Sequence, residues 1–186
     1  SFDLGMNTAG GFGEYIRVPA EWCVPLPEGL TLEESMIHGS GGYTAALALH
    51  KMEQNGQNPG MGPICVTGAT GGVGSLAVAI LSQAGYEVIA STGKPEEHSY
   101  LQSLGATEII DRNQVKDESG KPLLRPKWGG AIDNVGGNTL STLIKSCGRN
   151  GSVACIGLVG SPDLETTVYP FILNGVNLLG IESAHT

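Results

Sequence analysis

The residues with the clearest chemical potential form a glycine-rich turn, Thr67-Gly68-Ala69-Thr70-Gly71-Gly72-Val73-Gly74. The turn follows an apolar run at 63–67 and precedes apolar positions that recur at helical spacing. At a helix N-terminus the backbone N–H groups lack partners within the helix, and the helix dipole favours negative charge. A strand, a glycine turn and a helix in this order therefore predict a site for the pyrophosphate of a dinucleotide.

The glycines fit a dinucleotide fingerprint in two registers, Ala69-x-Gly71-x-x-Gly74 and Gly68-x-x-Gly71-x-x-Gly74. In both registers Gly71 allows close approach of the pyrophosphate, and Gly74 allows close packing of the helix against the strand. We predict that the backbone of Gly72, Val73 and Gly74 holds the anion, with Thr70 and Gly71 beside it. A P-loop is excluded because no Lys-Ser/Thr pair follows the last glycine. A glycine turn without a ligand and a methyltransferase site remain open alternatives.

The same turn also matches the pattern T-G-x-x-x-G-x-G, which resembles the short-chain dehydrogenases. Those enzymes need a Tyr-x-x-x-Lys pair, in which the lysine lowers the pKa of the tyrosine for proton transfer. None of the five tyrosines in this sequence has a lysine four residues later. The pattern therefore does not indicate that family.

The end of the second predicted strand, 87–91, decides between NAD and NADP. An acid there would accept hydrogen bonds from the ribose 2′-OH of NAD, whereas a cation would bind the 2′-phosphate of NADP. The residues at this point, none of them acidic, are Ser91, Thr92, Gly93 and Lys94. We therefore predict NADP(H) as the cofactor, with Thr92 and Lys94 at the phosphate. Arg112, just after the third predicted strand, is either a second cation of this site or an exposed surface charge.

Alternating strands and helices must position these residues. The sequence predicts strands at 63–67, 87–91, 108–110, 130–135, 152–156 and 176–181, and helices at 72–84, 95–104 and 138–146. Six strands joined by helical crossovers predict an α/β fold with a doubly wound, six-stranded parallel Rossmann sheet. The sixth strand is expected at a sheet edge, where it could pair with its copy in a homodimer.

The N-terminal part of the chain has a different pattern. Alternation predicts a strand at 14–18 and a short extended piece at 22–24. Thr31 and Glu34 have capping-box spacing, which predicts a helix to about residue 38. Glycines at 39–42 are expected to interrupt it before an Ala/Leu-rich helix at 43–52. Residues 112–127 are predicted to be a loop with a weak helix, and 170–174 a short turn.

Composition excludes two classes of partner. The chain has 186 residues and a net charge of −8, with no basic cluster, so a nucleic-acid partner is not expected. No apolar run is long enough to span a bilayer, so no membrane partner is expected. The four cysteines are scattered without metal-ligand spacing, which predicts free thiols in a reducing cytoplasm.

Several motifs stand in the order found in the medium-chain dehydrogenases/reductases. They are Gly42-Tyr43-Thr44-Ala45, the turn at 67–74, Leu104-Gly105-Ala106, Ala131-Ile132-Asp133-Asn134-Val135-Gly136 and Gly157-Leu158. Three further segments resemble the acrylyl-CoA reductase type within the zinc-independent quinone oxidoreductases: Ser91-Thr92-Gly93-Lys94, Pro170-Phe171-Ile172-Leu173 and Gly180-Ile181-Glu182-Ser183. The resemblance covers nearly the whole chain, and the ordered set is specific where a single motif is not.

The resemblance implies that the chain is a fragment. Members of this superfamily have an N-terminal GroES-like catalytic domain, then the Rossmann domain, then a C-terminal return. Residues 1–35 would be the tail of the GroES-like domain, and 36–186 the NADP-binding Rossmann domain without the return segment. Because the family's substrate pocket lies between the domains, we expect the isolated fragment to be inactive.

The resemblance also assigns further residues to the cofactor site. Tyr43 and Thr44 would lie at the nicotinamide end. The other expected contacts, mostly at the carboxyl ends of strands, are Asn134, Val135, Gly157, Leu158, Ile172, Ile181 and Ser183. For Asn134 and Ser183 an ordinary strand-end role is equally compatible with the sequence. The sequence indicates no catalytic residue, because it contains no convincing general acid.

The resemblance speaks against a metal site. Zinc-dependent relatives have a cysteine ligand six residues before the tyrosine of the Gly-Tyr motif, and here that position is Ile37. A lone histidine next to it, His38, is expected to be structural. Metal-dependent alcohol oxidation is therefore disfavoured.

Two hypotheses of different class follow. The first is an enzyme that transfers hydride from NADPH to an activated C=C bond of a small-molecule substrate, such as a quinone, an enone or an acrylyl thioester. The second is a non-enzymatic NADPH-binding or structural protein that keeps the fold. NADPH consumption with C=C reduction would separate them.

Overall fold

A six-stranded parallel sheet forms the centre of the fold. The computed structural model describes residues 4–5 and 8–184, and within them the strands pair in the order β3-β2-β1-β4-β5-β6. The strands are β1 (Ile64–Thr67), β2 (Val88–Thr92), β3 (Glu108–Asp111), β4 (Gly130–Asp133), β5 (Ser152–Cys155) and β6 (Asn177–Gly180). This confirms the predicted doubly wound sheet, and β6 lies at an edge as expected.

Helices cover both faces of the sheet. They are α1 (Leu32–Gln54), α2 (Gly72–Gln83), α3 (His98–Ser103), α4 (Gly137–Lys145) and α5 (Tyr169–Asn174). Alternate residues of each strand point to opposite faces, so Ile64 and Val66 pack with α1 and α2, whereas Cys65 packs with α4. Because both faces are covered, the central strands β1, β2 and β4 are buried along their whole length.

Helix α1 is one long element with a break, where the sequence predicts two helices. Its start is confirmed: the Thr31 hydroxyl accepts the Glu34 N–H at 3.2 Å, and the Glu34 carboxylate accepts the Thr31 N–H at 2.8 Å. At Gly39 the backbone leaves the helical region, with φ 37° and ψ −151°. Helical geometry resumes at once, so the interruption is one residue rather than the predicted four.

The predicted strand at 14–18 is wrong, and in the extended piece predicted at 22–24 Trp22 belongs to a 3₁₀ turn while Cys23 is extended. Residues 14–17 and 22–24 are exposed, and Ala20–Trp22 form a 3₁₀ turn. A strand needs a neighbour to satisfy its backbone groups, and no other strand among the described residues pairs with these segments. Side-chain alternation cannot reveal whether such a neighbour exists.

Two smaller predictions need adjustment. The helix predicted at 95–104 is a 3₁₀ turn, Pro95–Glu97, followed by the short α3. The turn predicted at 170–174 is the helix α5, which ends at Gly175 in the left-handed conformation. None of the helices in the described part of the chain is long and apolar enough to cross a membrane.

Candidate functional site

The predicted site residues gather where β1 and β4 lie side by side. Successive strands are added on one side from β1 to β3 and on the other from β4 to β6, so the order reverses at this point. In open α/β sheets the ligand crevice lies outside the carboxyl ends of the strands at such a reversal. Thr67 ends β1 and Asp133 ends β4, and both end at this crevice.

The glycine turn has the geometry that a tight strand-to-helix connection requires. Gly68 has φ +59°, a conformation that side chains disfavour. A Cβ on Gly74 would lie 2.2 Å from the Gly68 carbonyl oxygen and 2.8 Å from the Ala69 Cα. Since no side chain fits there, Gly74 lets α2 pack directly on the turn, which agrees with its predicted role.

The first turn of α2 presents free backbone donors. Gly71 is its N-cap and offers no capping side chain, so the N–H groups of Gly72, Val73 and Gly74 have no partner from the cap. They line a cleft of about 450 Å³ together with Thr70, Asn134, Val135 and Gly157. A Cβ on Gly72 would meet nothing within 4 Å, so the approach to these donors is open.

A second cleft, of about 660 Å³, continues from the first and shares Gly68, Thr70, Val135 and Val159 with it. It holds the predicted tip of β2: Ser91 and Thr92, both buried, and Gly93 and Lys94, both exposed. Arg112 lines it too. We call this space the cation cleft.

The cation cleft contains a third cation that the sequence analysis did not single out. Lys116 lines it beside Asn113, and none of its lining residues is acidic. The chain as a whole has a net charge of −8, so the positive charge of this cleft is opposite in sign to the net charge of the chain. Residues 112–127 have no strand or helix periodicity, so no feature of the sequence indicated that Lys116 lies at the site.

A buried network joins the ends of β1 and β4. The Thr67 hydroxyl donates to Asp133 Oδ1 at 2.6 Å, and Asp133 Oδ2 accepts the Gly136 N–H at 2.7 Å. Burial raises the pKa of Asp133, and the hydrogen bonds from Thr67 and Gly136 oppose that rise. Asp133 therefore supports the crevice by joining the two strand ends, a role that the sequence analysis did not assign to it.

Asn134 has a positioning role. Its side-chain amide donates to the Thr67 carbonyl at 2.8 Å, and its backbone N–H donates to the Thr67 hydroxyl at 3.1 Å. The segment that follows β5 packs closely against Asn134, since a Cβ on Gly157 would lie 2.3 Å from the Asn134 carbonyl oxygen. β4 therefore ends at Asp133 rather than at the predicted Val135, because residues 134–136 turn along the crevice wall.

Six of the residues expected to contact the cofactor, Tyr43 and Thr44 of the nicotinamide end among them, lie outside both clefts. Thr44 and Ser183 are brought together, with their hydroxyl oxygens hydrogen-bonded at 2.8 Å. Ile181 extends the pairing of β6 by donating its N–H to the Cys155 carbonyl at 3.1 Å. The other three, Tyr43, Leu158 and Ile172, are 45%, 63% and 68% exposed and line neither cleft.

The cysteines are free thiols, as predicted. Cys65 and Cys147 are buried, and burial raises the pKa of both, that of Cys147 to about 12. In the described ranges no group of three or more His, Cys, Asp and Glu side chains is arranged to hold a metal ion. Ile37 and His38 lie exposed on the first half of α1.

Comparison with known proteins identifies the family. A family model described as zinc-binding dehydrogenase matches residues 72–185. The chain belongs to this family, within the medium-chain dehydrogenase/reductase superfamily. This confirms the resemblance drawn from the ordered motifs.

Individual members of the superfamily are similar over nearly all of the chain. Acrylyl-CoA reductase AcuI of Ruegeria pomeroyi is 49% identical over 94% of this chain and 53% of that protein. The structure of Bacillus subtilis protein YhfP with NAD bound is 50% identical, with a TM-score of 0.94, over 100% of this chain and 56% of that one. The structure of Escherichia coli YhdH with bound NADPH is 43% identical, with a TM-score of 0.92, over 98% of this chain and 56% of that one. The chain thus spans about half the length of these dehydrogenases.

Proposed function

We propose that this chain is the nucleotide-binding part of an NADPH-dependent oxidoreductase that reduces an activated C=C bond. The observation that carries the proposal is the continuity of two clefts, one lined by free helix donors and the other by three cations without an acid. Similarity to dehydrogenases whose structures contain NAD or NADPH supports a nicotinamide dinucleotide as the ligand.

The residues present fit such a ligand. The open N-terminus of α2 offers the backbone N–H groups of Gly72, Val73 and Gly74 to the pyrophosphate, and no side chain obstructs them. The cation cleft begins at the tip of β2, where a dinucleotide bound at this turn places its adenosine ribose. Lys94 and Arg112 would hold a 2′-phosphate there, and Thr92 lies buried beside them. We therefore favour NADP over NAD.

The bound nicotinamide would supply hydride, and this chain would supply its position. The Thr67–Asp133–Asn134 network fixes the crevice wall that residues 134–136 form. The hydrogen-bonded pair of Thr44 and Ser183 would lie at the nicotinamide end and help to orient the ring. We assign no general acid to this chain.

The substrate class follows from similarity to an acrylyl-CoA reductase and from the lack of a metal ligand at Ile37. Hydride transfer to the β-carbon of an enone, a quinone or an acrylyl thioester requires no alcohol-binding zinc, so we propose a zinc-independent reaction.

The 14–37 segment carries exposed apolar side chains, Tyr15, Val24, Leu32 and Met36 among them. We propose that residues 1–35 belong to a second, GroES-like domain and 36–186 to the nucleotide-binding domain. The isolated chain would then be inactive.

Two further proposals concern the whole protein. The unpaired edge of β6 would join two copies in a homodimer. The four free thiols suit a reducing compartment, which supports a cytoplasmic location.

The proposed function is tested by following NADPH absorbance with the intact protein and acrylyl-CoA, a quinone or a saturated alcohol. We expect NADPH loss matched by an equal amount of propionyl-CoA from acrylyl-CoA or of hydroquinone from the quinone, unaffected by a zinc chelator. The alcohol is tested with NADP⁺, which would accept its hydride. NADP-dependent oxidation of the alcohol that the chelator abolishes would contradict the proposal. Tight NADPH binding without turnover of any substrate would favour a non-enzymatic binding protein.

A further inference from the structure

We propose that Gly93 sets the preference for NADPH by leaving the space in which the Arg112 side chain lies. The proposal rests on the proposed NADPH site and explains how one of its cations is positioned. Glycine has no side chain to contact a ligand, so the effect of position 93 would be exerted through Arg112.

The register of the sheet brings the two residues together. β2 and β3 pair in parallel, and their last pair is Thr92 with Asp111. Gly93 and Arg112 therefore follow directly as the next residues of two adjacent strands. Their proximity is a consequence of the fold and does not depend on a flexible loop.

The Arg112 side chain occupies the volume that a side chain at position 93 would need. A Cβ on Gly93 would lie 2.6 Å from Arg112 Nε and 2.9 Å from both Cδ and Cζ. These separations are far below the roughly 3.5–4.0 Å of favourable contacts between such atoms. Even an alanine at this position would displace the guanidinium group from its place against the strand end.

The backbone does not explain the glycine at this position. Gly68 and Gly136 have positive φ angles of +59° and +76°, whereas φ of Gly93 is outside this region. An alanine at 93 would therefore not be strained by its own backbone. What a side chain at this position would meet is the side chain of Arg112.

The main chain of Arg112 is held, so its side chain would have to move. Arg112 begins the 3₁₀ turn Arg112–Val115, in which the Asp111 carboxylate accepts the Asn113 N–H at 2.8 Å. Val115, at the end of the turn, is fully buried and anchors it to the core. A Cβ at position 93 would thus redirect the guanidinium rather than shift the turn.

The charge of Arg112 is available to a ligand. Arg112 makes no salt bridge with any residue that the structure describes, and the ion pair of Lys145 with Asp117 lies outside the cation cleft. Arg112 shares the cleft with Lys94 and Lys116 and with no carboxylate. A guanidinium can donate two parallel hydrogen bonds to a phosphate, which NADPH carries on its ribose and NADH lacks.

The test is a double-mutant cycle on the dissociation constants of NADPH and NADH for the intact protein, measured by nucleotide fluorescence. We expect Gly93→Ala and Arg112→Ala each to weaken NADPH binding by about tenfold or more, the usual size for a charge-assisted phosphate contact, with NADH binding changed less than about twofold. The double variant should bind NADPH no more weakly than Arg112→Ala, because both changes remove one contact.

The control is Gly180→Ala, at a glycine with open space around its Cβ position and outside both clefts, which should leave both affinities unchanged. Additive losses in the cycle would overturn the proposal, as would an equal effect of Gly93→Ala on both nucleotides. The proposal also fails if Arg112→Ala binds NADPH normally, a result that does not depend on the folding of the glycine variant. Failure of the unmodified protein to bind either nucleotide would instead overturn the proposed function.

Discussion

At the scale of single residues, the most informative feature is the sign of the charge at the tip of β2. Lys94, Arg112 and Lys116 line one cleft, and no acid lines it with them. Lys94 is predictable from sequence, because it follows a strand within a few residues. Arg112 was ambiguous and Lys116 was missed, since their positions depend on the pairing of β3 with β2 and on the turn that follows.

Lys94→Ala should weaken NADPH binding by about tenfold, because a charge-assisted contact to the 2′-phosphate is lost, and should leave NADH binding nearly unchanged. Titration of both nucleotides by fluorescence measures the two constants. Lys121→Ala is the matched control, since Lys121 is an exposed lysine outside the cation cleft. Equal losses for both nucleotides would remove the case for NADP.

At the scale of elements, the site depends on contacts between segments that are distant in sequence. The glycine turn and all six strands of the sheet were predictable, because short apolar runs and glycine positions have strong local signatures. The network of Thr67, Asp133 and Asn134 was not, because hydrogen bonds across neighbouring strands leave no pattern in either strand alone. The predicted strand at 14–18 was wrong for a related reason. Alternation of apolar and polar side chains does not show whether a second strand is present to pair with it.

The loop that follows Lys116 is tied to α4 by an ion pair. Asp117 Oδ2 lies 2.5 Å from Lys145 Nζ, and both side chains are 10% exposed. The hydrogen bonds from Lys145 and Ser119 lower the pKa of Asp117 to about 2. Since the pKa is lower in the folded state than its ordinary value of 3.8, the pair stabilises the fold above about pH 4. That stability is lost as the pH falls from about 4 through about 2.

Asp117→Asn should therefore lower the free energy of unfolding by about 1 kcal/mol at pH 7, after allowance for screening by nearby solvent. The difference from the unmodified protein should shrink as the pH approaches 2. Urea unfolding at a series of pH values measures it. Glu118→Gln, at the exposed neighbouring acid, should show no such loss. A pH-independent difference would refute the ion pair as its origin.

At the scale of the whole molecule, the sheet ends at β6, and no strand of the described residues pairs with the outer edge of β6. Leu178 on that strand is 37% exposed, and Lys51 donates to the Gly180 carbonyl at 3.1 Å beside it. An unpaired edge strand presents backbone groups that a second copy can satisfy. The sequence predicts the edge position of β6 but contains no information on what covers it.

Leu178→Glu should raise the dimer dissociation constant by about tenfold or more, because a carboxylate would be buried at the proposed contact. Sedimentation equilibrium of the intact protein gives this constant. Leu164→Glu is the matched control, since Leu164 is also 37% exposed but lies in the loop before α5. A monomeric unmodified protein would contradict the proposed dimer.

The pairing of β1 with β4 has a consequence for how the protein folds. Thr67 and Asp133, the residues that join the two strand ends, are 66 residues apart in sequence, whereas β1, β2 and β3 follow one another through short crossovers. Closing a long loop costs entropy before any contact repays it, so the β1–β2–β3 half has the lower barrier to formation. The glycine turn belongs to that half, but its opposite wall does not. We therefore expect the crevice to be completed late in folding. A chain that has formed only β1, β2 and β3 would have the glycine turn but not yet the facing wall that residues 134–136 form.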